Sequence, residues 1–302
     1  QRYPLELVWC PDCTLVQITE TIPPETLFGH YVYFSSFSET AVEEARRLAE
    51  RTVADRHLNS ANLVVEIASN DGYLLQHYKA RGVPVLGIEP ARNIAEYARE
   101  KRGIDTLCEF FTPDLATRLA TEGMYADVIH ANNVLAHVAD LNGFVAGLAT
   151  LLAPAGVAVI EFPYLRDLLE RTEFDTIYHE HLCYFSLTAI DRLFQQNGLR
   201  LVDVERIAIH GGSLRITAAR ADTSEPGTER VTALLAEEER WGVHRAATYE
   251  QFAGRVETLK RELISLLERL KQEGKTIAAY GASAKGSTLL NYCGIGCETL
   301  DF

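Results

Sequence analysis

The sequence predicts an α/β protein built on a doubly wound parallel sheet, and three observations predict it. From Leu63 to Phe162, strand-length apolar runs alternate with helix-length segments, the pattern of repeated βα units. Glycines stand where those helices must stop, at Gly82 and Gly103, the residue type that closes a helix in the left-handed conformation. Two β-rich stretches, Arg200–Ala208 and Leu214–Ala219, follow with no crossover helix between them, as expected of an antiparallel pair finishing the edge of the sheet.

In chain order, residues 1–30 are short strands and turns around Cys10-Pro11-Asp12-Cys13, and Ser36 to Glu39 has capping-box spacing for a helix reaching about His57. The strand Leu63–Ala68 runs through Ser69-Asn70-Asp71-Gly72 into a helix ended by Gly82; Val83–Ile88 leads to the helix Ile94–Arg102. Ile104–Cys108 precedes a helix starting after Pro113, and Asp127–Ala131 is followed by the helix Leu141–Leu152. After a turn at Ala153-Pro154-Ala155-Gly156 come the strand Val157–Phe162 and the helix Ser186–Asn197. Past the turn-rich 221–227, one charged helical stretch spans about Glu229 to Gln272, read as a solvated connector packing between domains rather than as a dimerisation element. A strand Thr276–Tyr280, a loop Gly281–Gly286 and a helix Ser287–Tyr292 then restart a βα unit.

Length fits about two domains at roughly 100–200 residues each: the chain has 302. With 47% hydrophobic and 24% charged residues it has a core to bury. A net charge of −13 argues against a nucleic-acid binder, which needs a basic stripe. No apolar run reaches the roughly 18 residues of a bilayer span, so no membrane partner is expected. Six cysteines are too few for a disulfide scaffold and point to a reducing, cytoplasmic setting. The first residues enter a strand-like stretch without an initiator Met, and the last stop just inside a new βα unit; a longer parent chain is the expectation.

In open α/β sheets ligands bind at the carboxyl ends of the strands, where strand order reverses. The first such strand ends Val65-Glu66-Ile67-Ala68-Ser69-Asn70-Asp71-Gly72. A dinucleotide site would want G-x-G-x-x-G here; only Gly72 is present, and Glu66 and Asp71 would repel a diphosphate. S-adenosylmethionine, whose sulfonium and amino groups tolerate carboxylates, fits better. The second strand ends Gly87-Ile88-Glu89-Pro90, placing an acid where ribose hydroxyls would lie, and Phe110 or Phe111 stands where an adenine ring could be flanked or where core packing would want an aromatic. An Asn-Asp-Gly turn is, by itself, also an ordinary turn.

A polar run, Tyr178-His179-Glu180-His181, sits against the apolar Leu182-Cys183-Tyr184-Phe185. The H-x-H spacing does not match a zinc-protease motif. Imidazole titrates near neutral pH, and a neighbouring carboxylate tunes it, so acid/base chemistry is the preferred reading. His137, in the loop after the fourth strand, opens onto the same rim.

The ordered set of C-x-x-C at Cys10 and Cys13, Tyr31–Ser38, Glu66–Gly72, Tyr178–His181, His210–Arg215 and Ala279–Gly286 resembles the S-adenosylmethionine-dependent C-3 methyltransferases of nucleotide-linked, usually dTDP-linked, 4-keto-deoxysugars. The resemblance spans nearly the whole chain. It implies a small N-terminal zinc-binding module (here residues 1–36), a Rossmann-like methyltransferase domain (37–222) and a helical connector with the start of a truncated C-terminal α/β domain (223–302). It implies His181 as the base, Glu180 as its polarising or substrate-positioning neighbour, Tyr178 and Tyr33 as holders of the sugar or enolate oxygen, and His137 as a further acid/base or oxyanion donor. Glu66, Ser69, Asn70, Asp71, Gly72, Glu89, Phe110, Phe111 and Asn132 fall to the cofactor. Tyr31, Ser283 and Lys285 fall to the substrate, the last two in a loop that would cradle its diphosphate. A structural zinc would take Cys10 and Cys13, with a second cysteine pair expected upstream of Gln1; Cys108, Cys183, Cys293 and Cys297 are expected as buried thiols. Two alternatives stand beside this reading: an O- or N-methyltransferase acting on another metabolite, and a non-catalytic nucleotide-binding interaction protein.

Overall fold

Val64, Val65 and Ile67 are almost wholly buried, and Glu66 between them is buried too, as a strand covered on both faces demands. The computed structural model describes residues 3–209, 211–281 and 283–302. Its strands are β1 (Leu7–Trp9), β2 (Val16–Ile18), β3 (Val64–Ile67), β4 (Val85–Ile88), β5 (Thr106–Leu107), β6 (Ala126–Asn132), β7 (Leu152–Pro163), β8 (Cys183–Tyr184), β9 (Leu199–Ile207) and β10 (Ser213–Arg220). Among the described residues, seven form one sheet in the order β5-β4-β3-β6-β7-β10-β9. The first five run parallel; β10 lies antiparallel between β7 and β9. The chain leaves β3 toward one edge and β6 toward the other, so the carboxyl ends of β3 and β6 bound the switch-point crevice. Hydrophobic side chains fill both faces of the sheet.

A second, small sheet has the order β1-β2-β8. Its hairpin carries Cys10 and Cys13, and its third strand follows His181 by two residues. The N-terminal module is thus stitched to the segment that leads out of the polar run: Ile18 N–H bonds the Leu182 carbonyl (3.0 Å), and Leu182 N–H bonds that of Ala136 (2.7 Å).

Several expectations need correcting. The helix Glu39–Arg56 is capped by Ser38, whose hydroxyl accepts the Ala41 N–H; Ser36 lies in the 3₁₀ turn Ser35–Phe37, too far from the helix to cap it. The expected turn at 153–156 is absorbed into β7, where the ladder to β6 shifts between Ala126 and Val128. Gly156 permits this, since a Cβ there would stand 2.5 Å from the Ala126 carbonyl oxygen. Thr276–Tyr280 is extended but not a strand: Ala279 N–H meets the Phe302 carbonyl and Asp301 N–H that of Ile277, two bonds that make no ladder.

The single charged helix is two, Glu229–Trp241 and Ala246–Gln272, because Gly242 turns left-handed (φ 99°) and closes the first. Both pack on one side against the rest of the chain. The first buries Val231, Leu234 and Glu238; the second buries Phe252 and Val256 and stacks Tyr249 on Trp9 (4.8 Å). Glu238, 0% exposed, takes the N–H groups of Leu187 (2.7 Å) and Thr188 (2.8 Å) and the Thr188 hydroxyl (2.5 Å), capping the helix Leu187–Gln196 from another element. Glu238→Ala leaves those donors unpaired and is expected to cost about 2–4 kcal/mol, read as a lower urea midpoint.

Candidate active site

Between β3 and the next helix the chain takes left-handed conformations at Ala68 (φ 51°), Asn70 (φ 48°) and Gly72 (φ 77°), and Asn133 does so (φ 56°) just after β6. Non-glycine residues held there carry strain, and such strain concentrates where a loop must approach a ligand. At Gly72 a side chain is excluded as well: its Cβ would lie 2.9 Å from the Ile104 side chain. The Glu89 carboxylate, following β4, ties the two loops together by accepting the N–H of Asn70 (2.9 Å) and of Ala91 (2.8 Å).

The crevice is rich in unanswered acceptors. Among the described residues, Glu66 Oε2, Ser69 Oγ, Asp71 Oδ1, Asn132 Oδ1 and Asn133 Oδ1 are buried without a hydrogen-bond partner, although such groups are ordinarily satisfied. Burial, then the charges of Glu89, Asp71 and Glu161, push the Glu66 carboxyl well above the usual carboxylate range. Burial raises Glu89 against the pull of its two N–H donors. Arg102 reaches Asp71 at 3.4 Å, and Arg215 pairs with Glu161 at 2.6 Å. A cationic ligand bringing hydroxyl and ammonium donors, and no phosphate, is the chemistry this donor-starved set fits.

Phe111 lies edge-on to Phe144 (5.3 Å) and against Gly147. That ring packs on the helix Leu141–Leu151, and both Phe110 and Phe111 are half-buried.

On the other side of the mouth, rings and imidazoles from three separate segments meet. Phe28 is 5.5 Å from the His137 ring, His137 5.0 Å from His181, and His181 4.3 Å from Tyr178. His137 Nδ1 donates to the Glu180 carbonyl (2.5 Å), and burial lowers the pKa of this imidazole. His181 Nδ1 donates to the Thr176 carbonyl (3.0 Å). A carbonyl only accepts, so Nδ1 carries the proton and Nε2 the lone pair; the Tyr178 hydroxyl donates to that Nε2 at 3.2 Å. Burial raises Glu180. Burial, then Glu180 and Tyr31, push Tyr178 up to about 12.

Tyr31 links the two halves: its phenol is raised by burial and by the charges of Glu180, Glu89 and Tyr33 in turn, so it stands within electrostatic reach of both the crevice and the histidine cluster. The Tyr33 side chain is 52% exposed at the rim, while its carbonyl accepts from Asn70 Nδ2 (3.1 Å).

The C-terminal loop is less direct. His210 and Ala282, in the two other motifs, lie outside the described residues. The Ser283 hydroxyl accepts the Gly286 N–H (3.2 Å) in capping its own helix, which leaves its O–H as a donor. Lys285 is exposed and lies near enough to Glu173 to lower that acid against burial. The helix Ala284–Cys293 packs Tyr292 on Phe174 (5.1 Å), and Thr288 Oγ1 bonds the Ile177 carbonyl (3.3 Å), one residue before Tyr178.

Cys10 and Cys13 face each other across the β1–β2 turn. Backbone N–H groups of Cys13 and Asp12 lower the Cys10 thiol, whereas burial raises Cys13. Paired thiols with backbone donors aimed at sulfur fit half of a four-thiolate zinc site. Of the other cysteines, Cys183 and Cys293 are buried, but Cys108, just past β5, and Cys297, in a turn four residues past the helix Ala284–Cys293, are exposed.

Residues that the sequence reading passed over also matter here: Phe28, Tyr73, Asn93, Glu161 and Thr176. Burial, with Glu66 and Glu161, raises the Tyr73 phenol far above its usual range, although Asn132 bonds it. Only Glu161 carried a visible signal, as a lone acid closing the apolar run Val157–Ile160.

Comparisons with known proteins agree with this architecture. Residues 1–28 match a family of proposed zinc binding domains, 37–204 a methyltransferase domain, and 208–302 a C-methyltransferase C-terminal domain. The chain is 38% identical over 300 residues to the C-methyltransferase NovU of Streptomyces niveus, covering 99% of this chain and 71% of that one. It is 28% identical over 97 residues to a ubiquinone biosynthesis O-methyltransferase of Bartonella tribocorum, covering 32% of this chain and 39% of that one. In fold it is similar to the PH0226 protein of Pyrococcus horikoshii, at 15% identity and a TM-score of 0.50, over 62% of this chain and 94% of that one. Among the described residues no helix is long and apolar enough to cross a membrane.

Proposed function

The chain belongs to the S-adenosylmethionine-dependent C-methyltransferases, and on that premise we propose that it methylates C-3 of a dTDP-linked 4-keto-deoxysugar through an enolate. The observation that carries this reading is the meeting of His137, Tyr178 and His181 around the Glu180 carbonyl, with Tyr31 joined to it through Phe28 and tied by its backbone to Asn93, four residues after Glu89.

S-adenosylmethionine, when bound, supplies the electrophilic methyl carbon; Glu66, Asp71, Asn132 and Glu89 would hold its ammonium and hydroxyl groups. A C–H beside a ketone is weakly acidic, and its ionisation needs a positioned base and a donor for the oxygen that gains charge. His181 Nε2 takes the C-3 proton while its Nδ1–H stays anchored on the Thr176 carbonyl. The Tyr178 hydroxyl turns from Nε2 to the C-4 oxygen. The C–H electron pair becomes the enolate, and with S-adenosylmethionine bound its C-3 would bond to the methyl carbon as the carbon–sulfur bond broke, leaving S-adenosylhomocysteine. Glu180 stabilises the imidazolium so formed, and His137, held neutral by burial with its one N–H on the Glu180 carbonyl, offers Nε2 as an acceptor toward the sugar. Tyr31 and Tyr33 line the acceptor side, and Lys285 offers charge to the diphosphate. Zinc on Cys10 and Cys13 would be structural, since a closed thiolate site leaves no position for substrate. The protein is expected as a cytoplasmic enzyme of branched-deoxysugar and antibiotic biosynthesis, with domains divided near residues 36 and 222.

The test is incubation with methyl-labelled S-adenosylmethionine and a panel of dTDP-4-keto-deoxysugars. Label on C-3 of a sugar is the expected outcome. Label on oxygen or nitrogen, or no incorporation across the panel, overturns the reading.

A further inference from the structure

The segment Tyr31–Ser35 has almost no regular structure of its own, yet it carries both acceptor-side tyrosines. It is held instead by side chains from the two loops that build the cofactor crevice. Asn93, in the first turn of the helix Arg92–Arg102, pairs its carboxamide with the Tyr31 backbone in both directions: Tyr31 N–H donates to Oδ1 (3.2 Å), and Nδ2 donates to the Tyr31 carbonyl (2.6 Å). Asn70 does the same two residues on, accepting Ser35 N–H on Oδ1 (2.8 Å) and donating Nδ2 to the Tyr33 carbonyl (3.1 Å). Between them Phe34 meets the Tyr97 ring edge-on (5.1 Å), one helical turn beyond Asn93.

We propose that Asn93 is a positioning residue for the acceptor. Its two backbone bonds set Tyr31 between the cofactor crevice and the Tyr178–His181 cluster, and Asn70 sets the far end of the same strap. Neither amide touches the reacting atoms. An Asn uses donor and acceptor together here, and no other side chain of that length offers both. The proposal rests on the functional reading above for the identity of the acceptor, but not for the existence of the clamp.

The discriminating substitution is Asn93→Asp. It keeps size and the acceptor for Tyr31 N–H, and a carboxylate in a first helical turn suits the helix dipole, so folding is expected to be undisturbed. What it loses is the donor to the Tyr31 carbonyl, which it replaces with repulsion. The expected result is a rise in acceptor KM of roughly tenfold, from one lost hydrogen bond and the unpaired carbonyl, with kcat less affected and S-adenosylmethionine affinity by calorimetry near that of the unmodified enzyme. Asn93→Ala is expected to behave like Asn93→Asp in KM, although it lacks the charge. Unchanged acceptor KM in both variants overturns the proposal, as does a loss of cofactor affinity equal to the loss for the acceptor. A second readout needs no acceptor: amide hydrogen exchange at residues 31–35 is expected to accelerate in both variants while β3 and β6 stay protected. Unaltered exchange there overturns the clamp even if no sugar in the panel is methylated, whereas failure of the unmodified enzyme on that panel bears only on the acceptor's identity.

Discussion

Replacing His181 by Asn is expected to lower turnover by about 10²–10⁴-fold, the range associated with a positioned general base, while calorimetric affinity for S-adenosylmethionine stays nearly unchanged. The asymmetry follows from the geometry. His181 is anchored through Nδ1 to the Thr176 carbonyl, and Asn can preserve that bond with its amide N–H, so the loop has no reason to collapse. What Asn cannot supply is a second nitrogen with a lone pair facing Tyr178. His137 lies 5.0 Å away, ring to ring, and burial lowers the pKa of its imidazole, which weakens it as a proton acceptor. Turnover retained within a few-fold of the unmodified enzyme would remove His181 from that role and move attention to His137.

The second large effect is expected at Glu89. Its carboxylate takes two backbone N–H groups, and its charge helps raise the Tyr31 phenol. Glu89→Ala removes a ribose acceptor and frees the Asn70 N–H, which loosens the strained loop Ala68–Gly72. With charge-assisted hydrogen bonds contributing roughly 1.5–3 kcal/mol each, cofactor affinity should fall by about 10–100-fold, read by titration calorimetry. Glu89→Gln keeps one carbonyl acceptor but turns an N–H toward a donor, so an intermediate loss is expected. Equal affinities in all three proteins would remove Glu89 from the cofactor site.

The sheet was legible because its determinants are local. Near-continuous branched apolar strands, Gly82 and Gly103 after helices, and the missing crossover before Leu214 each constrain backbone or burial within a few residues. What escaped was set by contacts distant in sequence. Gly242 splits the charged stretch 229–272, yet the reason both halves pack lies elsewhere, in the donors of Leu187 and Thr188 that bury Glu238 and in Trp9, which stacks on Tyr249.

The candidate site shows the same division. The acids Glu66, Asp71 and Glu89 and the run Tyr178–His181 stand out as titratable residues beside apolar strands. Asn93 carries no such mark, because an Asn at a helix start is ordinary helix chemistry. Its pairing with Tyr31, 62 positions away, becomes visible only when the chain is folded. Phe111 and Ser283 have a local role as well: an aromatic after a strand and a Ser before a helix serve packing and capping, and here Phe144 and Gly286 are their partners.

Hydrogen–deuterium exchange at C-3 of a dTDP-4-keto-deoxysugar, followed by proton NMR in deuterated buffer with the methyl donor withheld, isolates proton removal from methyl transfer. The unmodified enzyme should wash deuterium into C-3, and the His181→Asn protein should not. An enzyme that methylates C-3 yet shows no such exchange, or a His181→Asn protein that exchanges at the same rate, would contradict a base seated at the meeting point of these loops.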